Sequence, residues 1–201
     1  MIGIIDYGMG NIHSVQKALE VLGAETLVTN KPQEIKQCAK IVLPGVGAFD
    51  DAAIELEKRG LSAAIKEAIA AKKIFLGICL GMQLLFDKSE EGKKPGLGII
   101  KGSVKKFKAS SSLKVPHMGW NTLKFRQKDC PLFTGLEDGC YVYFCHSYYP
   151  AVSETVVTAA TANYGLEFSA IVRQDNVYGV QFHPEKSQET GIKILKNFIQ
   201  I

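Results

Sequence analysis

Five consecutive residues, Gly77-Ile78-Cys79-Leu80-Gly81, carry the plainest chemistry in the sequence. They follow the apolar run Ile74-Phe75-Leu76 and precede a stretch of helical character, so a nucleophile stands between two glycines where a strand gives way to a helix. That is a nucleophile elbow with Cys in place of Ser. The glycines are needed because so tight a turn brings neighbouring backbones too close for side chains. The position predicts an exposed, activated Cys79 at a helix N-terminus, where the dipole favours thiolate over thiol. It also leaves the backbone N–H of Leu80 available to an oxyanion on a substrate carbon. A buried structural cysteine in a glycine-rich turn is the plainer alternative, but the five residues by themselves already favour the elbow.

Gln181-Phe182-His183-Pro184-Glu185 supplies partners for that nucleophile. Residues two apart in an extended segment point the same way, so Glu185 can orient the imidazole of His183 while that ring serves Cys79 as base. Pro184 fixes the backbone between them. Pro44-Gly45-Val46-Gly47 is a third candidate: two glycines at the end of a buried strand permit close approach of a substrate, and Val46 could present a second N–H to the oxyanion. A plain strand-to-helix turn explains those four residues equally well. Tyr7-Gly8-Met9-Gly10-Asn11 resembles half a dinucleotide fingerprint, but the third glycine position is His13, which rules out that site.

The elements that must position these residues alternate through the first half. Gly3–Asp6, Thr26–Val28, Ile41–Leu43 and Ile74–Leu76 read as short buried strands. Between them Asn11 is expected to cap a helix ending at Gly23, Pro32 to open a short one, and two more to span Asp51–Lys58 and Leu61–Lys72. This alternation predicts an open, doubly wound, mostly parallel α/β sheet with helices on both faces. Past Gly102 the pattern changes to antiparallel-type strands at Val142–Phe144, Thr155–Thr158, Ser169–Val172 and Tyr178–Phe182, with a closing helix over about Glu189–Phe198. Loops at the carboxyl ends of parallel strands gather along one edge. Tyr7–Asn11, Pro44–Gly47 and Gly77–Gly81 should therefore meet there, joined by the loop after Phe182 if that strand is parallel to its neighbours.

The 201 residues suit one domain over 1–201. A net charge of +4 with scattered basic residues gives no nucleic-acid footprint; Lys105, Lys106 and Lys108 form the densest group. The N-terminus lacks the form of a signal peptide, and no apolar run approaches the roughly 20 residues of a membrane span. Five cysteines, at 38, 79, 130, 140 and 145, make neither a paired framework nor a C-x-x-C metal pattern. A reducing, cytoplasmic setting is expected, with no metal and no cofactor.

The three motifs, in this order, resemble the class I (triad) glutamine amidotransferases over essentially the whole chain. The resemblance implies a Cys79 nucleophile, a His183 base and a Glu185 orienting acid. It makes Pro44–Gly47 the oxyanion strand, with Val46 and Leu80 as the donors, and places Gly45, Gly47, Gln83, Ser147 and Tyr148 against the substrate glutamine. Within the family, Gly77–Phe86, Pro116-His117-Met118-Gly119-Trp120-Asn121, Tyr143–Tyr148 and Phe182–Ser187 look like the glutaminase subunits of imidazole glycerol phosphate synthases. Cys145 and Ser147 stand where Val and Thr are familiar alternatives.

That likeness implies a heterodimer with a (β/α)8-barrel cyclase, through which ammonia from glutamine would pass. Ammonia released into water would be protonated and diluted, so the active-site edge should itself be the docking face. Asn11, His117, Trp120, Asn121, Tyr143 and Lys186 are the candidates for that face. A sister glutaminase feeding a different synthase would share the catalytic residues and differ only in docking. A non-catalytic flavodoxin-like regulatory module would be expected to have lost at least one of Cys79, His183 and Glu185. A cysteine peptidase would need a peptide-binding insertion that this chain does not show.

Overall fold

The strand segments that read as unbroken apolar runs are those buried on both faces. In a computed structural model describing residues 1–111 and 113–201, the first half comprises β1 (Ile2–Ile5), α1 (Ile12–Val21), β2 (Thr26–Thr29), α2 (Pro32–Ile35) and β3 (Lys40–Gly45). It continues through α3 (Phe49–Lys58), α4 (Leu61–Ala70), β4 (Ile74–Cys79) and the single turn α5 (Leu80–Gln83). Then follow β5 (Lys88–Ser89), β6 (Gly102–Lys106), β7 (His117–Thr122), β8 (Lys124–Phe125), β9 (Tyr141–His146) and β10 (Tyr148–Val152). The chain closes with β11 (Thr158–Asn163), β12 (Glu167–Gln174), β13 (Val177–Val180) and α6 (Gln188–Gln200).

Eight strands form the main sheet in the order β2-β1-β3-β4-β13-β12-β11-β8. Pairing is parallel from β2 to β13 and antiparallel beyond it. The two-residue period of a strand splits the apolar runs between two cores. Ile4, Val42 and Leu76 pack on the face covered by α1 and α6, with Val15, Leu19, Ile194 and Phe198. Ile5, Ile41, Leu43 and Phe75 pack on the other, with Leu56, Leu61 and Ile65 of α3 and α4. The fold is the doubly wound α/β arrangement that the alternation predicts.

Local expectations change in four places. Asn11 stands at the N-cap of α1 but makes no side-chain cap bond. The helix expected to run to Lys72 ends at Ala70, because Lys72 turns to φ 62. Thr155–Val157 is a 3-10 turn with Val156 71% exposed, and the buried strand begins only at Thr158. His117–Thr122, read as a motif with no assigned structure, is a strand paired antiparallel with β9 in a ribbon of its own.

Candidate active site

β4 ends on Cys79, whose backbone sits at φ 55 and ψ −109. A non-glycine residue in this region costs about 1–3 kcal/mol, so its surroundings must impose it. Glycines do so: a Cβ on Gly77 would lie 2.5 Å from the Gly81 carbonyl oxygen, and one on Gly81 would lie 1.8 Å from that of Leu43. The strand, the turn and α5 close on one another only with bare backbone at both positions. Gly81→Ala is therefore expected to lose about 1–3 kcal/mol of stability and to displace Cys79. A urea midpoint and a rate of Cys79 alkylation both unchanged would contradict this.

Sheet register assembles the rest. Gly45 at the end of β3 stands beside Cys79, and Val180 at the end of β13 stands beside Ile78. Because β13 is parallel to β4, the loop after Phe182 does join the edge formed by the other three. Gln181 then falls next to Cys79 and its Nε2 donates to Sγ at 3.7 Å. The backbone of His183 is pinned twice: its N–H donates to the Tyr143 carbonyl at 3.0 Å, and its carbonyl accepts from Ser187 Oγ at 2.7 Å. Ser187 Oγ in turn accepts the Tyr143 N–H at 2.9 Å.

His183 Nδ1 and Glu185 Oε1 are 2.9 Å apart, with both side chains buried. Nδ1 is thereby occupied, leaving Nε2 for Cys79. Burial disfavours charge on the imidazole, but hydrogen bonds with Cys79 and Glu185, and the negative charge of each, outweigh it and raise the His183 pKa to about 10. The ring is thus poised to carry a proton beside a sulfur.

Two expectations about Cys79 are corrected here. It is 7% exposed rather than open, because the ends of β3 and β13 wall it in. The helix that follows it has one turn only, too few aligned peptides for a sizeable dipole. Side chains, not a long helix, face the sulfur.

Of the expected substrate contacts, Gln83 is buried, and its Nε2 donates to the Tyr148 carbonyl and to Gln181 Oε1, both at 3.0 Å. Ser147 and Tyr148 are half-buried where β9 turns into β10. Val46 is exposed and Gly47 adopts φ 96. Tyr7, placed by sequence reasoning on the active-site edge but given no role of its own, is fully buried with its hydroxyl 2.4 Å from where a Cβ on Gly45 would sit. Burial pushes its phenol well above the ordinary value, and the charge of Cys79 adds to the shift.

Strand parity divides the expected docking residues that lie on β7. Trp120 is 46% exposed and Met118, which sequence reasoning passed over, is 61% exposed on the same side of β7. Trp120 meets half-buried Tyr143 edge to face at 6.0 Å. Lys186 is exposed, and Asn11 lines a narrow crevice with His183, Glu185 and Val46. His117 does not belong on that face. Being of opposite parity to Trp120, it is buried, and Asn121 turns inward with it, placing Nδ2 3.3 Å from His117 Nε2. Among the described residues no group of three or more His, Cys, Asp or Glu is placed to hold a metal ion, and no helix is long and apolar enough to cross a membrane.

The family model for class I glutamine amidotransferases matches residues 3–201. A protein of Caldanaerobacter subterraneus named imidazole glycerol phosphate synthase subunit HisH is 53% identical over 98% of this chain and 97% of its own. One of the same name from Gloeothece citriformis is 51% identical over 99% and 95%. Among solved structures, PurLQS from Thermotoga maritima superposes with a TM-score of 0.78 at 21% identity, covering 99% of this chain and 97% of that one. At that identity the superposition speaks for the fold alone.

Proposed function

The chain belongs to the class I glutamine amidotransferases, and from that membership we propose that it is the glutaminase subunit of an imidazole glycerol phosphate synthase. In this reading it hydrolyses glutamine to glutamate and ammonia for histidine biosynthesis. The observation that carries the chemistry is the His183–Glu185 pair at 2.9 Å, set beside a cysteine held in an elbow.

Cys79 Sγ attacks the side-chain amide carbon of glutamine, and the backbone N–H groups of Leu80 and Val46 receive the oxyanion. His183 gives its proton to the departing nitrogen, which leaves as ammonia and a Cys79 thioester. The neutral ring then takes a proton from water, whose oxygen displaces the sulfur and yields glutamate. Glu185 holds the ring's orientation and steadies its positive form. Gly45, Gly47, Gln83, Ser147 and Tyr148 surround the glutamine.

The partner is a (β/α)8-barrel cyclase in a heterodimer, working in the cytoplasm. It uses the ammonia to convert a phosphoribulosyl-formimino aminoimidazole carboxamide nucleotide into imidazole glycerol phosphate and aminoimidazole carboxamide ribotide. The exposed apolar pair Met118 and Trp120, the latter packed against Tyr143, supports docking through this strand. The test is a glutaminase assay of the purified chain alone, with the barrel protein, and with the barrel protein and its nucleotide. Turnover should be low alone and rise with each addition, and a glutamine-analogue electrophile should label Cys79 ahead of the rest. Burial raises the thiol pKa of Cys38, Cys130 and Cys140, which keeps them unreactive at neutral pH. Labelling spread over those cysteines, or turnover indifferent to the partner, would count against the reading.

A further inference from the structure

The hydrogen bonds behind Cys79 run in one sense only. Asn121 Oδ1 accepts the N–H of Thr122 at 2.8 Å, so its Nδ2 is the end that faces His117 Nε2 at 3.3 Å and the Asn163 carbonyl at 2.8 Å. His117 Nε2 must then accept, which puts its proton on Nδ1, 2.9 Å from His146 Nε2. His146 must carry its own proton on Nδ1, because that atom lies 2.7 Å from the Tyr148 carbonyl, which can only accept. Burial lowers the pKa of His117 to about 4; burial, with the charges of His117 and His183, takes His146 to about 3 against the pull of the Tyr148 carbonyl, so both rings are neutral as this sequence requires.

The Tyr148 carbonyl takes a second donor, Gln83 Nε2, at 3.0 Å. The other hydrogen of Gln83 Nε2 goes to Gln181 Oε1 at 3.0 Å. With its oxygen held by a donor, the Gln181 amide can present only N–H to the sulfur of Cys79, at 3.7 Å. Gln181 is fully buried, and its orientation is fixed from behind.

We propose that Gln181 is a further catalytic residue, donating a hydrogen bond that holds Cys79 Sγ as a thiolate, and that Gln83, His146 and His117 are positioning residues that keep its amide from turning over. This rests on Cys79 being the nucleophile. An anion in a nearly closed site needs donors in place of water. His183 supplies one, and it must leave that position to protonate the departing nitrogen. Gln181 cannot give up its proton, so it stays a donor throughout the cycle and keeps the sulfur anionic when the thioester breaks.

The experiment uses the chain in complex with its barrel partner and measures the rate of Cys79 alkylation by iodoacetamide against pH, by mass spectrometry. Gln181→Met removes the donor at similar volume; Gln181→Asn keeps an amide but withdraws it by one carbon. Both should move the midpoint to higher pH by about one unit, a tenfold slower labelling at neutral pH, with weaker thiolate absorbance in the ultraviolet. Glutamine kcat should fall about tenfold with little change in KM. Melting temperatures identify a variant that has failed to fold, and Gln181→Asn decides the matter if Gln181→Met does so. A wild-type midpoint in a folded variant overturns the role of Gln181 and leaves the nucleophile assignment standing. A wild-type protein in which Cys79 is not labelled ahead of the other cysteines overturns the glutaminase reading instead.

Discussion

A complex of the Cys79→Ala chain with the proposed barrel cyclase is expected to make product from ammonium salt and none from glutamine. Alanine tolerates the φ 55 backbone as poorly or as well as cysteine, so the elbow, the register with Gly45 and the docking strand should persist. What disappears is the atom proposed to form the thioester. Removing a nucleophile that acts as a unit with its base costs on the order of 10⁴-fold or more in turnover, which takes glutamine-dependent synthesis below detection. In the proposed division of labour ammonia-dependent synthesis falls to the partner, which is in keeping with a sequence that carries no P-loop and whose glycine-rich start has His13 at the third glycine position. Raised pH, where neutral ammonia is available, should restore the mutant complex to the wild-type rate. Equal glutamine-dependent product from both complexes would overturn the division of labour.

The parallel half of the sheet was legible because strands such as Ile41–Leu43 are buried on both faces and show as unbroken apolar runs. The elbow was legible because steric closure demands glycine at both 77 and 81, and few other reasons put glycines on either side of a cysteine. β7 was not legible: Gly119 and Asn121 hide its period, and its burial depends on β9, a strand distant in the sequence. That blindness misplaced His117, whose motif signalled importance without saying which way the ring points. Gln181 was missed for a related reason. It sits two residues before His183 and so on the same side of an extended segment, but its nearness to Cys79 follows only once β13 is known to run parallel to β4. Thr155–Val157 shows the opposite error, since three β-formers in a row look like a strand whatever their exposure.

His183→Asn is expected to abolish glutamine turnover about as fully as loss of Cys79, and its pH behaviour separates a catalytic from a structural role. The imidazole is held near pKa 10, above its ordinary 6.5, against the penalty of burial, by hydrogen bonds to Cys79 and Glu185 and by the charges of both. A raised pKa means that the protonated ring persists through neutral pH and is lost only as pH climbs past about 10. Wild-type kcat/KM for glutamine should therefore hold through mildly alkaline conditions and fall there, when no proton remains for the departing nitrogen. Two of the causes of the shift belong to Cys79, so in Cys79→Ala the His183 titration followed by NMR should move to lower pH. Glu185→Gln keeps a hydrogen-bonding group at the same place but removes the charge, and should lower turnover by about 10²–10⁴-fold while moving the alkaline limb to lower pH. His183→Asn has no such limb, and neither acid nor base can be replaced by water at a comparable rate in so enclosed a site. A His183 titration unmoved by Cys79→Ala would show that the ring and the sulfur do not interact, and a Glu185→Gln enzyme of full activity would remove Glu185 from the triad.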